Sequence, residues 1–586
     1  MNKKLLTTSW SVALLLVSAT SQALTQPPSS TKIATGAVEE VCPDTTSPEW
    51  RAAQVIDGVK IQESLLCNPD NPYDIAAFVK GTNNVSMETL MNTQLAADAL
   101  TLGRDLDGDG DPDEIFIKLE VAELNGHSPD VAVPMTTFDI APGIRPTFWV
   151  YAPKSRDMST DNVYSTAANP LLRVPSPTIR VEQGDTVWIT LENTHYLPHS
   201  IHLHGIDHPY MDHSGEGNDG VGQTSHMDVM PGQSKTYVIK PRQAGTMYYH
   251  CHVQPHTHIP MGLQGIFVVE ENRPNNWVQT FNVGAGQVRH PSVAVSEKYA
   301  REYDMHYETA DKSLHELASK ANDPRLTSKH LNHDYNITDS SDNYFLLNGR
   351  SFPYTLRESL VQMQMGEKVK LRVFNGGTES IAVHLHGHKP TATHYDGVDN
   401  GEKSHLTRDV HAISPAQRLD LELDGTNDGL HSFGEGVWMF HDHVEKAFTT
   451  NGIGEGGDIS LVVYKKFLNA KGIPSLHGMD LSPYFTKEFW QGKYPIWQDY
   501  DKWQSLGVPG TETVLAAQAT IVAAEKAAKE AKEAAKNAIG TTGTQGADDS
   551  VGNLFYGLFM GLLSYFLVIK RELIFSRVQS MLKRPS

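Results

Sequence analysis

The chain has 586 residues, of which 39% are hydrophobic and 20% are charged. This balance excludes a polytopic membrane protein and a wholly disordered chain. The formal net charge of −20 argues against a nucleic-acid-binding protein, because such proteins present basic surfaces.

The first 23 residues have the pattern of a secretory signal. Lys3 and Lys4 precede an apolar run at 12–17, and small residues follow up to residue 23. The run is too short for a membrane-spanning helix. We therefore expect residues 1–23 to direct export to the periplasm or to the extracytoplasmic face of a membrane.

Residues 24–144 are predicted to form a separate N-terminal extension. They contain Cys42 and Cys67, which could form one disulfide bond in an oxidising compartment. They also contain a glycine-rich loop of alternating carboxylates, which suits a hard, oxygen-preferring cation. The residues of this candidate calcium site are Asp105, Asp107, Asp109, Asp111 and Asp113. The alternative is a solvated acidic turn.

From residue 145 the sequence turns to short β-branched and aromatic runs separated by Gly, Pro, Asn and Asp. The pattern occurs twice, which predicts two copies of one all-β unit, at 145–275 and 341–467. The connector between them, 276–340, is polar from residue 295 and contains no convincing strand. Residues 468–510 are rich in aromatic side chains and are predicted to cover a domain surface.

The C-terminal part is predicted to contain a helix, then a membrane anchor and a basic tail. Residues 511–540 form an Ala-rich helix, which could be a trimeric stalk or a lone spacer. Residues 551–569 contain no charge and are about as long as the ~20 residues that span a bilayer. The basic tail, 570–586, favours a single-pass anchor with its C-terminus in the cytoplasm.

Histidine is concentrated in two parts of the chain. Of 27 histidines, eleven lie within 195–261 and nine within 384–443. Such clustering is typical of metal sites. Four His-x-His pairs stand out, and residues two apart on a strand point to the same face, so each pair presents two imidazoles together. The pairs are His202/His204, His250/His252, His384/His386 and His441/His443.

Cys251 lies between the two histidines of one pair and therefore points to the opposite face of its strand. His199, His256 and Met261 can reach the same interior. Together these four residues give two imidazoles, a thiolate and a weak thioether ligand, which is what a blue electron-transfer copper requires. His258 lies off this spacing and is predicted to be at the surface.

These motifs resemble those of the multicopper oxidases. His199-Ser-Ile-His-Leu-His-Gly matches the family's His-x-x-His-x-His-Gly, and His250-Cys-His continues in register to Met261. The resemblance implies two cupredoxin-like Greek-key β-sandwich domains and four coppers per chain: one of type 1, one of type 2 and two of type 3. His199, Cys251, His256 and Met261 would hold type 1, and His202 and His384 type 2. The type 3 pair would be held by His204, His250, His252, His386, His441 and His443.

The second unit has Asp442 where a type 1 site would need cysteine, so the only complete type 1 set is in the first unit. This layout is similar to the two-domain, laccase-like multicopper oxidases. In those proteins the oxygen site joins domain one of one chain to domain two of the next, which implies a homotrimer. The resemblance also implies that Cys251, with its neighbours His250 and His252, carries electrons from type 1 to the cluster.

The resemblance implies oxidation of a donor, one electron at a time, coupled to reduction of O₂ to water. The donor could be a small reducing molecule, a metal ion or an electron-transfer protein, and the sequence does not distinguish these. One alternative is a copper nitrite reductase-like enzyme, which shares the layout but does not need eight paired imidazoles. Another is a membrane-tethered copper-binding or electron-transfer protein, which needs only the type 1 set.

Overall fold

The computed structural model describes residues 96–126, 138–154, 173–272, 280–320 and 324–468, with short gaps at 97, 109, 283–285 and 288–297. It also describes two short strands between residues 54 and 61, residue 474, residues 484–491 except 485, and a helix at 519–530. The predicted signal, the two cysteines of the extension, the predicted anchor and the basic tail lie outside these residues. Within the described part, no helix is long and apolar enough to cross a membrane.

The first β-sandwich consists of two five-stranded sheets. One sheet has the order β12-β6-β11-β10-β8, and the other has the order β3-β4-β7-β9 with β5 paired to β4. A separate pair of short strands, β1 (Gln54–Ile56) and β2 (Val59–Ile61), precedes it. The strands of the sandwich are β3 (Leu100–Leu102), β4 (Glu114–Leu124), β5 (Phe148–Pro153), β6 (Thr178–Glu182), β7 (Thr186–Glu192), β8 (His202–His204), β9 (Ser234–Ile239), β10 (Gly245–His250), β11 (Gln264–Glu270) and β12 (Phe281–Asn282).

The second sandwich pairs an eight-stranded sheet with a five-stranded one. The larger sheet has the order β13-β14-β17-β23-β19-β20, with β15 on β14 and β21 on β19, and the smaller has the order β16-β25-β24-β18-β22. The strands are β13 (Gly286–Gln287), β14 (Arg301–Asp311), β15 (Asp342–Leu347), β16 (Val361–Met363), β17 (Lys368–Asn375), β18 (Ile381–Leu385), β19 (Thr391–Tyr395), β20 (Val398–Asp399), β21 (Leu406–Thr407), β22 (Val410–Ile413), β23 (Arg418–Asp424), β24 (Val437–Asp442) and β25 (Ser460–Tyr464).

Helices are short and lie between strands. They are α1 (Pro255–His258), α2 (Lys312–Lys320), α3 (Pro324–Lys329), α4 (Thr355–Glu358) and α5 (Lys487–Trp490), with a π turn at His330–Asp334 and 3₁₀ turns at Ile337–Asp339, Glu402–Ser404, Glu445–Phe448 and Lys465–Phe467. In a second compact unit, residues 496–586, the helix 519–530 has mostly exposed side chains. The prediction of a mainly β chain is confirmed.

The strands follow from the period of their side chains. In β7 every second residue is buried, so Val187, Ile189 and Leu191 face the core of the first sandwich. The corresponding core of the second sandwich includes Val369 and Leu371 of β17. Burial of these β-branched and aliphatic side chains is the main stabilising contribution, because it removes apolar surface from water.

Two regions differ from the prediction. The predicted extension is not separate, because β3 and β4 belong to the first sandwich, where β4 pairs with β5 and β7. The connector contains β14, an eleven-residue strand that is buried along almost its whole length. Its sequence is too polar to be recognised as a strand. The strand can still be buried, because its acidic side chains are neutralised by partners on other strands.

Those partners form a buried ionic network between the two sandwiches. Arg180 of β6 contacts Glu270 at 2.8 Å, Glu302 at 2.9 Å and Asp304 at 2.5 Å. Arg372 of β17 pairs with the same Glu302. Each of these five side chains is at most 5% exposed. Because buried charges need such partners, the network holds the two sandwiches in one arrangement.

Candidate metal centre

A buried group of three potential metal ligands lies at the end of β10. The Sγ atom of Cys251 is 3.7 Å from Nδ1 of His199 and 3.4 Å from Nδ1 of His258. All three residues are buried, and one ligand atom from each lies within 4.8 Å of the others. Two imidazole nitrogens and a sulfur that converge in this way match the donor set of a type 1 copper.

Local structure explains how these side chains meet. Cys251 follows the last residue of β10 and points into the core, opposite to its neighbour His250. His199 is fixed by two backbone hydrogen bonds with Val229, at 3.1 and 2.9 Å. His258 is the last residue of the short helix α1.

Burial sets the protonation of the group. It raises the pKa of Cys251 to about 11 and lowers the pKa of His258 to about 3. The pKa of His199 is also held well below its usual range by burial. At neutral pH the metal-free group is therefore a thiol beside two neutral imidazoles, and a metal that binds the sulfur must displace its proton.

The structure corrects the choice between His256 and His258. His256 is exposed, whereas His258 is 1% exposed and adjacent to Cys251, so the prediction of a surface position for His258 is wrong. The strand period ends at Cys251, and Gln254 has a left-handed φ of 44° before α1 begins. Spacing counted along a strand could not identify the ligand beyond that bend.

Met261, the predicted axial ligand, is fully buried in the same core cluster as Cys251. Leu263 is also fully buried in this cluster, and the Cys251 N–H donates to the Leu263 carbonyl at 3.0 Å, just beyond the last pair of the ladder between β10 and β11. One thioether and one aliphatic side chain therefore lie in the core that contains Cys251.

A first histidine quartet lies on the other face of β10. It consists of His202, His204, His250 and His252. The Nε2 atoms of His204 and His250 are 3.0 Å apart, and the His202 ring lies 5.3 Å from that of His250 and 5.4 Å from that of His252. The prediction that these pairs face away from Cys251 agrees with the burial of Leu203 and Cys251 in the core.

Side chains around the first quartet orient its rings. His202 Nδ1 is 2.6 Å from the carbonyl oxygen of Asp219, so its N–H donates there and leaves Nε2 free. The Asp219 carboxylate also contacts His208 at 3.0 Å. The Tyr248 hydroxyl lies 2.9 Å from His204 Nε2. Sequence patterns do not identify Asp219 and His208 as neighbours of His202, since their contacts depend on how the loop after β8 folds.

A second quartet is formed by His384, His386, His441 and His443 in the other sandwich. The Nε2 atoms of His386 and His441 are 3.3 Å apart, and the His384 ring lies 5.3 Å from His441 and 5.5 Å from His443. Asp442, between the last two, is buried and accepts hydrogen bonds from the backbone N–H groups of Ala382 and Val444. Asp442 therefore lies at the position in the second sandwich that corresponds to Cys251 in the first, and its role there is structural.

The quartets are separate within one chain. Among the described residues, every ring contact between the eight histidines joins two members of the same quartet. Burial lowers the pKa of His250 and His441 to about 4, so both are neutral ligands at neutral pH. Nδ1 of His252 is buried and has no hydrogen-bond partner in the described part, while the His443 side chain is 52% exposed. Closely spaced imidazoles with ring nitrogens that are not all hydrogen-bonded fit copper.

The acidic loop only partly has the predicted shape. Carboxylate oxygens of Asp105, Asp107 and Asp113 come within 4.8 Å of one another, whereas Asp109 lies outside the described residues and Asp111 is buried apart from that group. Asp105 accepts hydrogen bonds from the N–H of Gly108 at 2.6 Å. The carboxylates of Asp105 and Asp113 thus already accept backbone hydrogen bonds, as expected for an acidic turn.

Comparisons with known proteins agree with this geometry. A family model described as multicopper oxidase matches residues 163–274, and a second one with the same description matches residues 325–454. Copper resistance protein A of Pseudomonas syringae pv. tomato is 26% identical over 288 residues, which cover 45% of this chain and 43% of that protein. Copper resistance protein A of Escherichia coli is 23% identical over 280 residues, covering 45% and 44%.

The chain thus spans less than half the length of these two relatives. Among solved structures, the blue copper oxidase from Nitrosomonas europaea is 22% identical, with a TM-score of 0.44, covering 65% of this chain and 94% of that one. The two matched segments fall in the two sandwiches, and each contains one histidine quartet. Each of the two sandwiches thus contains a multicopper oxidase domain.

Proposed function

We propose that the protein is an oxidase that couples one-electron oxidation of a reducing donor to four-electron reduction of dioxygen to water. The observation that carries this proposal is the set of eight imidazoles in two quartets, together with Cys251 between two of them. A protein that only stored or carried copper would need the Cys251 group alone. A nitrite reductase-like enzyme would need a mononuclear type 2 copper beside type 1 and not eight paired imidazoles, so both alternatives leave most of the quartets unexplained.

The geometry of the Cys251 group and the resemblance to multicopper oxidases support one assignment of copper ligands. His199, Cys251 and His258 would hold type 1, with Met261 as a weak axial ligand. Type 2 would be held by His202 and His384, and the type 3 pair by His204, His250, His252, His386, His441 and His443. When bound, these coppers would supply single-electron transfer at one site and dioxygen reduction at the other.

The protein's own residues connect the two sites. Cys251 presents its sulfur on one face of the chain while His250 and His252 present imidazoles on the other, so a covalent path of a few bonds joins them. Asp219 fixes the ring of His202 through its carbonyl group. Cys251, His199 and His258 are all buried, and their burial excludes water from the Cys251 sulfur.

We further propose that the oxygen site is completed by a second copy of the chain, in a homotrimer. Each quartet offers imidazoles on one sandwich only, and His386 and His443 are exposed, so a partner surface could reach them. A head-to-tail contact that closes after three copies would bring a first quartet to a second quartet at each interface.

The proposed site of action is outside the cytoplasm. The signal-like residues 1–23 and the apolar residues 551–569 support an exported protein with one C-terminal anchor. Truncation after Gly510 should then release an active enzyme from membranes. Continued sedimentation of this variant with the membrane fraction would contradict the anchor.

The test of the proposed function combines copper content, colour and oxygen uptake. The purified protein should bind four coppers per chain, be blue, and consume oxygen with at least one donor among Cu(I), Fe(II), Mn(II), phenols and small electron-transfer proteins. Cys251→Ser should lose the blue absorbance and turnover, whereas the matched control Cys42→Ser should keep its colour. A fully loaded protein that consumes no oxygen with any donor would refute the oxidase.

A further inference from the structure

A second histidine stands directly behind the type 1 group. Nδ1 of His195 is 2.8 Å from Nε2 of His199, and both side chains are at most 1% exposed. His199 turns its other nitrogen, Nδ1, toward the sulfur of Cys251. If Nδ1 is the metal-binding atom, Nε2 carries the proton and donates it to His195.

A buried carboxylate stands behind His195. Oε2 of Glu123, on β4, lies 3.6 Å from Nε2 of His195 and accepts hydrogen bonds from Trp149 Nε1 at 2.9 Å and the Tyr196 hydroxyl at 2.7 Å. Glu123 is 4% exposed, and no lysine or arginine of the described residues forms an ion pair with it. Two donors hold the carboxylate in place, and its charge faces His195.

The contact between His195 and His199 is a hydrogen bond, whereas the contact between His195 and Glu123 is electrostatic. With Nδ1 of His195 directed at His199, its Nε2 faces the carboxylate at 3.6 Å and has no hydrogen-bond partner in the described part of the chain. The Trp149 ring packs against His195 at 5.2 Å and against His258 at 5.3 Å, so the same side chain touches both sides of the group. The row Glu123–His195–His199 is therefore closely packed, and its carboxylate can act on His199 electrostatically through the His195 ring.

We propose that Glu123, acting through His195, is a positioning group that orients His199 and lowers the reduction potential of the type 1 copper. This inference rests on the copper proposed at Cys251. A carboxylate that polarises a ligating imidazole makes it a stronger donor, and a negative charge near the metal favours the oxidised ion. The row thus adjusts the enzyme to strongly reducing donors.

The experiment measures the reduction potential of the blue chromophore against a redox mediator in the full-length, copper-loaded protein. Glu123→Gln keeps the shape but removes the charge, so the ratio of reduced to oxidised copper should rise at least tenfold, which is 59 mV for a one-electron couple. Tyr196→Phe removes one donor but keeps the charge, so the carboxylate should act more strongly and the ratio should fall. The control is Glu114→Gln on the same strand, about 30 Å away along β4, which should leave the ratio unchanged.

The opposite signs separate this role from a merely structural one. General loosening of the site would shift the reduction potential of both variants in the same direction, and that result would overturn the inference. An unchanged potential in Tyr196→Phe would also overturn it, even where Glu123→Gln failed to fold. If the wild-type protein binds copper without becoming blue, the proposed function fails first; if it is blue and the variants match it, only the role of Glu123 fails.

Discussion

Glu308 should make the stability of the protein fall as the pH rises. This side chain of β14 is 4% exposed, and its Oε1 lies 3.7 Å from Nε2 of the equally buried His306. Oε2 has no hydrogen-bond partner in the described part of the chain. Burial raises the pKa of Glu308 from its ordinary value of 4.5 to about 8, although a hydrogen bond from Gln264 opposes the increase.

The sign and the size follow from proton binding. Between these two pKa values the folded protein keeps a proton on Glu308 that the unfolded chain has lost, so rising pH favours unfolding. Because each pH unit between the two pKa values is worth about 1.4 kcal/mol, the interval corresponds to about 5 kcal/mol. Glu308→Gln cannot ionise and should lose this dependence.

The assay is denaturant unfolding of the wild type and of Glu308→Gln from about pH 5 to about pH 8.5. The variant should gain about 4 kcal/mol relative to the wild type across this range, because about three pH units of the interval lie within it, and histidines common to both proteins cancel in the difference. Glu402→Gln, at an exposed position, is the control and should follow the wild type. Parallel curves for Glu308→Gln and the wild type would show that Glu308 is ionised in the folded protein.

Three further predictions concern the metal sites. His258→Ala should abolish the blue absorbance, whereas His256→Ala should keep it; equal loss in both, measured by visible spectroscopy, would contradict the assignment. Co-expression of Cys251→Ser with His384→Ala should restore oxygen uptake in mixed trimers, because one chain's intact first sandwich can face the other's intact second sandwich, and inactive mixed oligomers would place the oxygen site within one chain. If the acidic loop binds calcium, calcium should raise the melting temperature of the wild type but not of Asp113→Asn, and an equal effect on both would favour the solvated turn.

The sequence predicts the histidine quartets well because regular strands have a fixed period of two. Residues such as His250 and Cys251 must then face opposite sides, whatever the rest of the fold. His258 could not be predicted, since the chain leaves the strand and bends at Gln254. Contacts such as those of Asp219 with His202 depend on loops whose path has no simple sequence pattern.

Buried charged residues set a second limit on what the sequence predicts. β14 contains Glu302 and Asp304, which a sequence pattern assigns to the surface, yet both are buried against Arg180. Whether a charged residue can enter a core depends on a partner far away in sequence, and one sequence does not indicate that pairing. The sequence places β4 in the separate N-terminal extension for a related reason, because its pairing partners β5 and β7 come later in the chain.

The ionic network between the sandwiches has a consequence for electron transfer. To open that interface, water would have to enter around Arg180, Arg372 and their acidic partners, so a hinge between the sandwiches is energetically unfavourable. The two sandwiches of one chain should therefore keep a fixed separation. In the proposed oxidase, an electron would then leave Cys251 through a fixed medium, so the protein matrix would not have to rearrange with each electron.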